Sequence, residues 1–129
     1  MEHDVLARAL SAIRAAEAKG KSEVILAPSS KVLLSILGML KEEKYIHAYE
    51  FTDNKKGGII KVSLAGKINN IGAVKPRYSV ALNEFEKFEQ RYLPAKDFGR
   101  LILSTSKGFI THIGAKEKKL GGTLLAYVY

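Results

Sequence analysis

The sequence predicts an α+β fold made of two small α/β lobes, and three observations carry that prediction. In the first half, helical and strand-like runs alternate in the order helix, strand, helix, strand, strand. The second half reads as mostly strands with short helices between them. Gly66, Gly72 and Pro76 punctuate the middle and place a boundary within 65–72. This gives an N-terminal αβαββ lobe, 1–65, and a C-terminal, mostly β lobe, 66–129. The 129 residues suffice for two such lobes, and an apolar fraction of 47% is enough for a packed core.

Each element has a local reason. Asp4 is a good N-cap for a helix with Val5, Leu6, Ala9, Ile13 and Ala16 on one side, ending near Lys19-Gly20. Residues 23–27 (EVILA) read as a short buried strand. Pro28-Ser29-Ser30 stops it and caps a second helix, in which Val32, Leu33, Ile36, Leu37 and Leu40 recur at helical spacing. Residues 46–52 and 59–64 follow as a hairpin around the loop Asp53-Asn54-Lys55-Lys56-Gly57-Gly58. Residues 73–80 form a strand that Pro76 confines to an edge or a bulge. Residues 84–93 form a helix with Phe85, Phe88 and Tyr92 on one face, ended by Pro94. A strand over 100–104, a polar turn and a short strand over 109–110 come next. Residues 113–119 make a short basic helix closed by Gly121-Gly122, and the last strand covers 123–129.

Composition narrows the function. Without Cys there are no disulfides, thiolate zinc sites or Cys nucleophile, which suits a reducing compartment. Met1-Glu2-His3-Asp4 carries acids and no apolar run, unlike a signal peptide, and no run of 18 apolar residues could span a membrane. The expectation is a soluble, cytoplasmic protein with no membrane partner. Net charge is +8, unevenly spread: 10 basic against 8 acidic residues over 1–64, but 11 against 5 over 65–129. A basic excess in one half points to an anionic partner on that side, beyond simple solubility.

Enzymatic chemistry finds little support. Ser104, Ser106, His112 and Asp97 supply the residue types of a nucleophilic triad, but neither serine sits in a G-x-S-x-G elbow. His3, His47 and His112 are scattered, so no metal site is expected, and His112 reads as flanking the following helix. Neither G-x-x-x-x-G-K-[ST] nor G-x-G-x-x-G occurs, so no nucleotide cofactor is expected.

RNA fits better. The turn Ser104-Thr105-Ser106-Lys107-Gly108 presents hydroxyls and backbone N–H groups suited to ribose, phosphate and shallow-groove base edges. Gly108 lets the backbone come close, and Gly121-Gly122 repeats that logic. Lys107, Lys116, Lys118 and Lys119 supply charge for phosphates. A hairpin turn and a helix C-cap explain Gly108 and Gly121 as well, but leave three consecutive hydroxyls over. Ser29, Ser30 and Lys31 read either as an N-cap with solvated neighbours or as a phosphate contact at a helix N-terminus. Lys75 and Arg77, around Pro76, read as phosphate-contacting or merely solvated cations. Phe85, Phe88 and Tyr92 read as core, and Tyr127 and Tyr129 as ordinary strand packing. Two rivals remain: a general basic RNA- or DNA-binding protein, and a small hydrolase using Ser106 and His112.

Five stretches, PSSK at 28–31, LKEEKYI at 40–46, GKINNIGAVKPR at 66–77, STSKG at 104–108 and LGGTLLAYVY at 120–129, resemble the family of ribosomal protein eight of the small subunit in content and order. FEKFEQRYLPAKDFG at 85–99 and the ending AYVY resemble its archaeal and eukaryotic branch. The resemblance implies a non-enzymatic protein of two α/β lobes that binds a helix in the central domain of small-subunit ribosomal RNA early in assembly. It implies neighbouring small-subunit ribosomal proteins as partners and no cofactor. It assigns RNA contact mainly to the C-terminal lobe, at Ser104, Thr105, Ser106, Lys107, Gly108, Gly121 and Gly122, with Ser29, Ser30 and Lys31 as the first lobe's serine-lysine turn. Thr123 stands where bacterial members commonly carry Glu, so its contact is not carried over. Some bacterial members also bind their own messenger RNA, which adds a second RNA as a candidate partner.

Overall fold

A computed structural model of the chain describes residues 5–27, 29–74, 79–95 and 98–129. Asp4, Pro28, Lys75, Pro76, Arg77 and Asp97, which bear expectations above, lie outside the described residues. The chain divides into two compact units, 1–71 and 72–129.

The first unit contains α1 (Val5–Ala18), β1 (Glu23–Leu26), α2 (Lys31–Glu42), β2 (Ile46–Thr52) and β3 (Ile59–Leu64), the αβαββ order expected from the sequence. Its three strands form an antiparallel sheet in the order β1-β3-β2. Leu10 and Ile13 of α1, Leu33, Ile36 and Leu37 of α2, and Ile60 and Val62 of β3 are fully buried. Each such side chain contributes roughly 1.5–3 kcal/mol relative to exposure, so this core is a main favourable contribution to the lobe's stability. One expectation is corrected here. β1 is not a buried strand: only Leu26 is buried, because β1 is an outer strand paired on one side alone.

The second unit is built on a sheet in the order β4-β8-β6-β7, where β4 is Ile71–Ala73, β6 is Arg100–Thr105, β7 is Gly108–Thr111 and β8 is Gly122–Val128. β5 (Ser79–Val80) also pairs with β8. Residues 73–80 therefore do not form one strand; β4 and β5 are separate short pieces that share β8 as partner. A single turn of 3-10 helix (Leu82–Glu84) leads into α3 (Phe85–Tyr92), and α4 (His112–Lys118) follows β7 directly. Phe85 and Phe88 are core residues and Tyr92 packs against them, as their helical spacing suggested. In the central strand Leu101, Ile102 and Leu103 are all at most 1% exposed, so β6 is covered on both faces and rigidly placed. Ser104 and Thr105 continue that buried strand to the surface.

Candidate nucleic-acid interface

β6 and β7 are joined through Ser106 and Lys107, with Thr105 opposite Gly108. Neither Ser106 nor Lys107 has a positive φ, so the turn is not of the primed type that matches strand twist by itself. Gly108, at φ 109°, makes the reversal, and open space surrounds the position a Cβ would take. The Thr105 hydroxyl donates to the Gly108 carbonyl at 2.8 Å and accepts from the Lys107 N–H at 3.1 Å. One of the three hydroxyls thus shapes the turn, as Ser and Thr side chains often do. Ser104 is half-buried, flanked by Phe109 on β7 and Thr123 on β8. Ser106, Lys107 and Gly108 are exposed at the tip.

The double glycine meets this turn. A Cβ on Gly122 would lie 2.5 Å from the Ser104 carbonyl oxygen and 2.9 Å from the Thr105 methyl. One on Gly121 would lie 2.7 Å from the Val80 carbonyl oxygen. Both glycines are therefore required by backbone crowding on either side of β8's start, and neither closes α4. Lys119 does that, in the left-handed region at φ 56° and ψ 46°, with its N–H bonded to the last helical carbonyls and the Leu120 N–H bonded to the Ala115 carbonyl. At the other end the Thr111 hydroxyl caps α4 by accepting from the Gly114 N–H at 3.2 Å.

α4 does not present its lysines alike. Lys118 and Lys119 are exposed, and three residues of chain keep Lys119 within about 11 Å of Gly122 and so near the hydroxyl turn. The Lys116 ammonium instead binds the carboxylate of Glu89, which is only 4% exposed on α3. Beside them His112 is wholly buried, its Nε2 3.7 Å from Glu89 Oε1, while its Nδ1 accepts the Leu101 N–H at 3.0 Å. Lys116 thus reaches from the surface of α4, 38% exposed, to a buried carboxylate on α3 and ties the two helices together. The same geometry answers the hydrolase reading. His112 is committed to the core, and β7 alone separates it from Ser106 by roughly 10 Å at strand rise.

In the first unit Ser30 caps α2, its hydroxyl accepting from the Leu33 N–H at 3.1 Å. Ser29 gives both its N–H and its hydroxyl to the Gly57 carbonyl, at 3.0 and 2.7 Å. Those bonds bring Lys31 to the same end of the lobe as the β2–β3 loop. The loop is ordered by Asp53 accepting from the Lys55 N–H and Asn54 accepting from the Lys56 and Gly58 N–H groups, all at 2.9 Å. Lys55 and Lys56 are exposed there. The stretch read as a hairpin loop is thus tied to the start of α2 through Ser29 and Gly57, a pairing that nothing in the linear sequence indicates.

Among the described residues no cluster of His, Cys, Asp and Glu could hold a metal ion, and no helix is long and apolar enough to cross a membrane. The family model described as ribosomal protein S8 matches residues 4–129. That family is a structural, non-enzymatic one of the small ribosomal subunit. The chain belongs to the ribosomal protein S8 family, and is a small-subunit ribosomal protein that binds ribosomal RNA.

Proposed function

We propose that the chain binds a helix of the central domain of small-subunit ribosomal RNA directly and supports assembly of the subunit, with the lobe over 66–129 making the main contact. The observation that carries this is the meeting of the two loops. Gly122 lies against Ser104 and Thr105, so the turn 104–108 and the segment 118–122 adjoin, with Lys107, Lys118 and Lys119 exposed around them. Such a surface lets ribose and base edges of a distorted helix approach the backbone, which longer side chains would prevent. Ser106 reads the RNA; Lys107, Lys118 and Lys119 hold flanking phosphates; Gly108 leaves open space for close approach, and Gly121 and Gly122 let β8 pack tightly enough to bring the two loops together. Ser104 and Thr105 act through carbonyls and turn shape. In the first lobe Lys31 contacts backbone, with Ser29 and Ser30 fixing the loops around it. Lys75 and Arg77 add phosphate contacts. The same surface would take a copy of that helix in the chain's own messenger RNA.

The test is competition binding to a central-domain fragment against an unrelated hairpin of equal length, at two salt concentrations. A preference of about a thousandfold or more that persists at the higher salt is expected. Ser106→Ala should cost roughly 1–2 kcal/mol on the specific RNA only. Equal loss on both RNAs would remove the reading role. Equal binding of both RNAs by the unaltered protein, collapsing together with salt, would leave a general basic binder.

A further inference from the structure

The first sheet has two outer strands, and they differ. β2 carries a bulge between Ile46 and Ala48, a device that turns a strand edge away from intruding chains. β1 pairs in unbroken register with β3. The Leu64 N–H donates to the Ser22 carbonyl at 2.8 Å, and this sets the phase of the antiparallel ladder. Ser22, Val24 and Leu26 bond inward to β3, whereas Glu23 and Ile25 turn their N–H and C=O groups outward. Ile25, at the middle of that edge, is 58% exposed.

Beside the edge runs a trough. A cleft of about 420 Å³ lies between β1 and α1, lined by Ala12, Ala15, Ala16 and Ile25 with Lys19 and Lys21 at one end. It continues into a smaller cleft of about 110 Å³ that shares Ala12 and Ile25. The alanines keep α1 low, and the carboxylate of Glu23 is held by Lys61 at 3.0 Å and so does not cancel the two lysines. That bond also raises the Lys61 ammonium above its ordinary pKa.

We infer that β1 accepts an extended segment of a partner protein as a fourth strand. Its main chain bonds to the outward groups of Glu23 and Ile25, its small apolar residues fill the alanine trough, and acidic residues meet Lys19 and Lys21. Main-chain bonds give affinity in this mode and alternate side chains give selectivity. The surface lies within the first unit and does not depend on the RNA face.

The probe is a short fluorescent peptide alternating valine and threonine, with two glutamates at the C-terminal end that antiparallel pairing would set beside Lys21. Saturable binding to the full chain is expected, with amide exchange of Glu23 and Ile25 slowing about tenfold or more while Val24 and Leu26 stay as they were. Ile25→Lys, and separately the pair Lys19→Glu and Lys21→Glu, should each weaken peptide binding by about tenfold or more. The amides of β3 in Ile25→Lys should exchange as slowly as in the parent, which shows that the first unit is folded. Absence of saturable binding, or binding indifferent to Ile25→Lys, overturns the inference. So does protection of the Glu23 and Ile25 amides by concentrating the protein alone, which would make a second copy the occupant, or by RNA, which would make this edge a nucleic-acid surface.

Discussion

Lys116 and Lys119 are three residues apart and belong to different chemistries. Lys116 neutralises a carboxylate that the fold has taken out of water, so losing it leaves Glu89 buried beside His112 with one partner fewer. Lys116→Ala should therefore lower stability by about 2–3 kcal/mol, read by urea denaturation. At a temperature where the variant is folded, its salt slope for RNA binding should equal that of the parent. Lys119 is the reverse case. It occupies a left-handed position that favours glycine, at a cost that a lysine elsewhere would not incur. Lys119→Gly should raise the melting temperature, with a gain of up to about 1 kcal/mol, because relief of the left-handed strain exceeds the entropy a glycine adds to the unfolded chain, and should weaken RNA binding. A variant that is both more stable and equally tight would show that the cation is not used.

At the scale of elements, the start of β8 decides the shape of the interface. It is wedged between the end of β5 and the end of β6, with room for hydrogens alone at Gly121 and Gly122. Gly122→Ala would drive a methyl into the Ser104 carbonyl and push β8 from β6 where the hydroxyl turn begins. Overpacking of this kind costs about 1–3 kcal/mol. Specific RNA affinity should fall further than Ser106→Ala lowers it, since the whole turn shifts rather than one hydroxyl. Thermal melts and the competition assay, run on the same sample, separate the two effects. An affinity unchanged in Gly122→Ala would mean that the two loops do not act together. The elements themselves were largely legible: Leu33, Ile36, Leu37 and Leu40 are buried as their spacing indicates, and Phe85 and Phe88 are core. Where the reading failed, it failed at ends and edges. Residues 23–27 are apolar enough for a buried strand, but an outer position leaves Ile25 in water. Gly121 looks like a helix cap, and its reason is a carbonyl from a strand about 40 residues earlier, that of Val80.

For the whole molecule, the 11 basic against 5 acidic residues of the second half predict where the salt dependence of RNA binding originates. Each phosphate contact removed should reduce the slope of log affinity against log salt by about 0.9. Lys107→Ala and Lys31→Ala lie in separate compact units, so their effects should add within about 0.3–0.5 kcal/mol. Strong non-additivity in a double-mutant cycle would show that the two lobes do not bind independently. By itself the sequence determined the fold class, the order of elements in the first lobe, the half of the molecule that carries the charge, and the family. These follow from local spacing, composition and the order of short motifs, which are properties of the chain read in line. Only the tertiary structure decided which hydroxyl and which lysines are engaged: Thr105 is spent on its turn, Lys116 on Glu89, and Ser29 on Gly57, which ties the β2–β3 loop to the start of α2. The physical reason is that availability depends on which atoms lie within about 3 Å once distant segments meet, and no one-dimensional pattern specifies that distance.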